Sequence, residues 1–199
     1  MKKTLFTFLL SSMITVTTFG QIDKDEMKKT FENYFQTVVQ KDNEKTLDYM
    51  YPKLFEKYPK DKMLGAMDKM KEDTTTVITV DNANIISISE TFELDGIKYA
   101  LITYSFKMTM IIMATGDKSE STVGEDYNQA DFTYEILKEK YGDKNVLYDQ
   151  ENSKLDINVT SEIYAIKKPT YKDWKFLEKK DSMKQLLEKL LPKKVLKKW

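Results

Sequence analysis

Asp95-Gly96 sits between two long β-patterned runs, residues 85–94 and 97–113, and no other stretch constrains the fold as strongly. Both residues of such a two-residue turn take positive φ, which Asp-Gly tolerates, so alternating apolar residues around it signal a β-hairpin. The turn fixes the register, pairing residues equidistant from it on a common face. One face then pairs Leu94 with Ile97, Phe92 with Tyr99 and Glu90 with Leu101, while Glu93 meets Lys98 on the other. Farther out the apolar set changes sides, to Ile102, Tyr104, Phe106, Met108, Met110 and Ile112. A β-bulge or a strong bend that rotates the strand by one residue would produce this change, so a bent antiparallel sheet with helices over part of its concave side is expected.

Residues 1–20 open with Lys2 and Lys3, continue through an apolar run and close on Thr18-Phe19-Gly20, the layout of a secretory signal peptide cut before Gln21. The run is short for a membrane span, and the absence of cysteine excludes a lipid-bearing lipoprotein site. The expected mature chain, residues 21–199, is exported to a periplasm or beyond and folds as one domain with one sizeable core. Without cysteine its stability comes from packing rather than disulfides. Removing Lys2 and Lys3 from 32 basic residues leaves 30 against 32 acidic ones, net −2, which gives no global field for nucleic acid or an anionic membrane.

Helical spacing marks Met27, Phe31, Tyr34, Phe35, Val38 and Val39, broken at Asp42-Asn43, with Leu47, Met50 and Tyr51 on a second piece. Pro52 and Pro59 read as first-turn prolines of two further helices, the second carrying Met63, Leu64, Met67 and Met70 as apolar filler. The β-branched run at residues 74–80 starts the sheet. After a polar loop, Ala130, Tyr134, Leu137 and Tyr141 form a helix stripe closed by Gly142. A second hairpin follows, residues 146–148 and 155–166 turning near Glu151-Asn152, and then a last strand over residues 173–177. Residues 181–199 form an amphipathic helix with the stripe Met183, Leu186, Leu187, Leu190 and Leu191, interrupted by Pro192 before Val195, Leu196 and Trp199.

This order resembles the NTF2-like (cystatin-like α+β) superfamily, in which helices precede a strongly curved antiparallel sheet folded into a cone. The residues that carry the likeness are the helix from Phe31 to Val39, the break Lys41-Asp42-Asn43, the stretch Tyr51-Pro52-Lys53-Leu54-Phe55 and the late strand Trp174-Lys175-Phe176-Leu177. The resemblance implies an α+β fold with a C-terminal helix added. Its members include enzymes, ligand binders and interaction modules, so it implies fold more than function.

The chain has no His, Cys or Arg. That removes the usual zinc sites, a Cys nucleophile, a Ser-His-Asp triad and bidentate phosphate clamps. Six glycines form no phosphate-binding loop, and no cofactor is expected. Asp117, Glu120, Glu125 and Asp126 match no calcium-loop spacing and read as a solvated acidic loop, so no metal site is expected either. Among carboxylates Glu90 stands out, because the register places it with Ile88, Phe92 and Leu101, where desolvation would favour proton transfer near neutral pH. By likeness to NTF2-like isomerases Glu90 would be the base, with Tyr104 or Tyr99 as hydrogen-bond donor; the competing reading is a solvated Glu90 paired to a lysine.

The leading expectation is a secreted, non-enzymatic protein that holds a small apolar ligand or a peptide with Tyr34, Phe92, Tyr99, Tyr104 and Phe106. A cofactor-free isomerase, cyclase or hydrolase using Glu90 and Tyr104 comes second, and a homodimerising interaction module third. The C-terminal segment carries eight lysines from Lys179 on, and docking on its own sheet is favoured over an anionic membrane surface.

Overall fold

The computed structural model describes residues 16–72, 74–113 and 129–199; the expected signal segment up to residue 15 and the acidic loop Asp117, Glu120, Glu125 and Asp126 lie outside these. The fold is α+β. Helix α1 (Val16–Val39) is followed by α2 (Asn43–Tyr49), a 3-10 turn at Pro52–Glu56 and α3 (Lys60–Glu72). Strands β1 (Thr76–Ile88), β2 (Phe92–Leu94) and β3 (Ile97–Ile112) precede α4 (Gln129–Tyr141). Then come β4 (Val146–Asp149), β5 (Lys154–Lys167), β6 (Lys175–Lys179), α5 (Lys184–Leu190) and α6 (Lys193–Leu196). Among the described residues no helix is long and apolar enough to cross a membrane.

Local chemistry sets the boundaries. Asp42 caps α2 by accepting from the Lys45 amide, and Pro52 and Pro59 open the turns that follow them. Gly142, at φ 88°, closes α4 with its amide on the Lys138 carbonyl. Asp95 and Gly96 both take positive φ, and β2 pairs β3 in the expected register, Phe92 with Tyr99 and Leu94 with Ile97. The expected methionine filler on α3 is met only in part: Met63 packs half-buried against the core, but α3 has no fully buried residue and Met70 is exposed.

The open, antiparallel sheet runs β1-β3-β5-β4, with β2 beside the turn end of β3 and β6 beside the C-terminal end of β5, which lies at that same end of the sheet. Bulges occur, but in the β1–β2 strand. Its register against β3 slips between Asp81 and Asn84 and between Ile85 and Ser87. A third slip lies just before β2. Ser89, rather than Glu90, faces Leu101: its amide donates to the Leu101 carbonyl at 2.9 Å, and its hydroxyl accepts the Leu101 amide at 2.9 Å. With Phe92 still opposite Tyr99, Glu90 and Thr91 share the single position across from Ala100.

Strand β3 pairs with β5 without interruption from Lys98 to Ile111, so β3 is not rotated. Its apolar set changes sides because the cover changes. Near the turn both faces are buried, by α1 on Ala100 and Ile102 and by the C-terminal segment on Tyr99 and Leu101. Beyond Tyr104 cover remains on one face, where α4 packs over Ile112, Leu155, Ile157 and Val159.

The expected C-terminal helix over residues 181–199 is divided into a 3-10 turn at Asp181–Met183, α5 and α6, because Pro192 has no amide to continue α5. These pieces dock on the chain's own sheet, with Leu187, Leu190, Leu191 and Val195 buried against Tyr99, Tyr164 and Leu177.

Candidate functional site

Helices α1 and α4 cover the same face of the sheet at opposite ends and leave a cleft of about 780 Å³ between them. Its floor is set by strand alternation. Tyr104, Phe106 and Met108 project from β3, with Ser161 and Val159 opposite Tyr104 and Phe106 on β5. The outer side of β5 explains the opening. Strand β4 pairs as far as Ile157 and β6 resumes only at Glu162, so among the described strands none pairs the residues between on that side.

Strand β6 supplies the carboxylate. Its Phe176 amide-carbonyl unit is held by the Tyr51 amide at 2.8 Å and by a parallel bridge to Met50. With Phe176 packed against α1, alternation carries Glu178 to the same face, opposite Ile163. Tyr104 Oη donates to Glu178 Oε1 at 2.9 Å, and Ser161 Oγ lies 3.4 Å from Oε2. The Glu178 side chain is 16% exposed, and its nearest ammonium, Lys180 Nζ, stands 3.7 Å away.

Aromatic side chains form the wall on the α1 side. Phe31 meets Tyr104 edge-on at 4.9 Å, Phe35 lies 5.7 Å from Phe106, and Tyr104 and Phe106 stack at 5.8 Å. Tyr34 packs on Phe176 at 5.2 Å and lines the cleft, and no described residue hydrogen-bonds its hydroxyl. Burial, reinforced by the Glu178 charge, pushes the phenols of Tyr34 and Tyr104 well above the ordinary tyrosine value, so both remain neutral donors.

Of the residues expected to contact a ligand, Tyr34, Tyr104 and Phe106 meet in this cleft. Phe92 and Tyr99 do not. They occupy the opposite face, where Tyr99 is buried and Phe92 packs edge-on against Trp199 at 6.4 Å, because odd and even positions of β3 point apart. Glu90 is also elsewhere. The bulge turns it out of the apolar face, its side chain is 81% exposed, and it pairs with Lys24 at 2.5 Å. Glu90 and Tyr104 therefore share no site.

Sequence reasoning missed Glu178 and Ser161. The signal was the alternation Trp174, Phe176, Glu178, which places a carboxylate on the face of a buried phenylalanine once the strand is extended past Leu177. Among the described residues no cluster of three or more acidic side chains is arranged to hold a metal ion. No known family profile matches the sequence, no curated protein is detectably similar to it, and no solved structure matches its fold.

Proposed function

We propose that this protein is an exported, non-enzymatic binding protein of NTF2-like architecture that holds a small apolar ligand in the cleft between α1 and α4. The cleft itself carries the reading. Its 780 Å³ lies within the roughly 300–1,000 Å³ usual for small-molecule sites, and it combines an aromatic and apolar wall from α1 and β3 with a polar, charged side from β5 and the end of β6. A module built only to dimerise has no need of such a space, which ranks the dimer reading below ligand binding.

The catalytic reading is retained for one reason: a tyrosine and a carboxylate are hydrogen-bonded inside the cleft. In that reading Glu178, not Glu90, is the proton-transfer group, with Tyr104 as its partner. Turnover of a bound molecule that is lost in Glu178→Gln would favour it.

The test of the binding reading is native mass spectrometry on protein isolated from its source, with the same sample denatured. Binding predicts an excess mass that disappears on denaturation. A bare monomer that also fails to be stabilised by a panel of small apolar compounds would overturn the reading; a bare dimer would favour the interaction module.

A further inference from the structure

Building on the binding reading, we infer that the ligand carries an ammonium group on its apolar body, held between the Glu178 carboxylate and the half-buried Phe106 ring. The argument is one of complementarity. Glu178 lies largely out of solvent with two hydroxyl neighbours, Tyr104 at 2.9 Å and Ser161 at 3.4 Å, and its one described ion pair, to Lys180 at 3.7 Å, is longer than a hydrogen bond. A carboxylate accepts up to about four hydrogen bonds, so lone pairs remain for a further donor.

The lysines at the cleft make no hydrogen bond to Glu178 among the described residues. Lys179 is committed to Glu162 at 2.6 Å, Lys140 lies over the Tyr141 ring at 4.9 Å, and Lys180 is 56% exposed at 3.7 Å from Glu178. Asp181 also lines the cleft, so its charged residues, three lysines and three acids, balance and the interior polarity is set by Glu178.

The rings add to the same preference. Tyr104 is buried between Phe31 and Phe106, which leaves the half-buried Phe106 ring at the cleft, and the faces of such rings attract cations. The unengaged Tyr34 hydroxyl offers a lone pair in the same space. An anionic ligand would place like charges together in a partly dehydrated site, and a neutral alcohol would satisfy one acceptor without using the charge.

Calorimetric titration of residues 21–199 with 2-phenylethylamine, 2-phenylethanol and 3-phenylpropionate separates the possibilities, because the three share an apolar body and differ in charge. The amine is expected to bind at least about tenfold more tightly than the alcohol, and the acid most weakly. Glu178→Gln is expected to erase the preference for the amine, and Lys180→Ala, at an exposed position, to tighten amine binding by a few-fold. Equal affinities, tighter binding of the acid, or an amine preference that survives in Glu178→Gln would overturn the inference while leaving the cleft as a binding site. Failure of all three probes to bind would overturn both.

Discussion

Tyr104 on β3 and Glu178 on β6 are joined across β5 by a 2.9 Å hydrogen bond, the phenol donating to Oε1. Two strands that share no ladder are thus tied by side chains at the floor of the cleft. Hydrogen bonds to charged groups contribute about 1.5–3 kcal/mol net, and this one is partly buried. Tyr104→Phe is accordingly expected to lower the unfolding free energy by about 1–2 kcal/mol in urea denaturation. Ser161→Ala, which removes a 3.4 Å contact, should cost clearly less. An equal loss in the two variants would refute the ranking.

Alkaline pH should unfold the protein through its buried phenols. Burial raises Tyr34, Tyr51 and Tyr104 well above the ordinary value of 10.0, while the unfolded chain ionises near that value. Between the two the native state binds more protons than the unfolded state, so stability is complete below about pH 10 and declines as pH rises beyond it. Tyrosinate absorbance after a jump to high pH should show a fast phase from exposed tyrosines and a slow phase that tracks unfolding. A single fast phase would show that the buried phenols titrate in the native state.

The hairpin at Asp95-Gly96, the helix break at Asp42-Asn43, the cap at Gly142 and the helix stripes were legible because each depends on local backbone chemistry or on periodicity. The face change along β3 was legible as well, but its cause was not. One strand buried on two faces and one strand rotated by a bulge leave the same trace in sequence, and the long-range cover by Leu187, Leu190 and Val195 decides between them. The cleft was half legible. Tyr34, Tyr104 and Phe106 follow from period, whereas Glu178 requires the end of β6, and element ends are set by pairing as much as by composition.

Glu90 provides the contrast to Glu178. With its side chain 81% exposed and paired to Lys24, Glu90 holds an interaction of the kind that contributes little. Glu90→Gln is expected to leave both the denaturation midpoint and any ligand affinity unchanged within error, while Glu178→Gln alters affinity. Parallel titrations of the two variants check this; an affinity change in Glu90→Gln would return that residue to the site.

The C-terminal segment should be part of the cooperative fold. Val195 is fully buried, and Trp199 lies 6.4 Å from Phe92 and 6.3 Å from Tyr164. Val195→Ala removes two buried methyl equivalents and is expected to cost about 2 kcal/mol, with loss of Trp199 fluorescence change and of secondary structure at a common midpoint. Separate midpoints for the two signals would show that α6 comes away first.

Export predicts where the working chain starts. Helix α1 runs from Val16 through the expected cut before Gln21, and residues beyond the cut fasten it to the sheet. Asp23 accepts from Lys98 at 2.7 Å, Lys24 pairs with Glu90, Glu26 pairs with Lys167 at 2.7 Å, and the buried stripe begins at Met27. Cleavage after Gly20 would therefore shorten α1 by a turn and leave these contacts in place. Protein recovered from its source is expected to have the mass of residues 21–199, lighter by one ammonia where the new N-terminal Gln21 has cyclised, and to match the stability of recombinant residues 21–199. A mass that retains Met1 would refute export through this segment. A mature chain markedly less stable than one starting at Val16 would show instead that the helix needs its first turn.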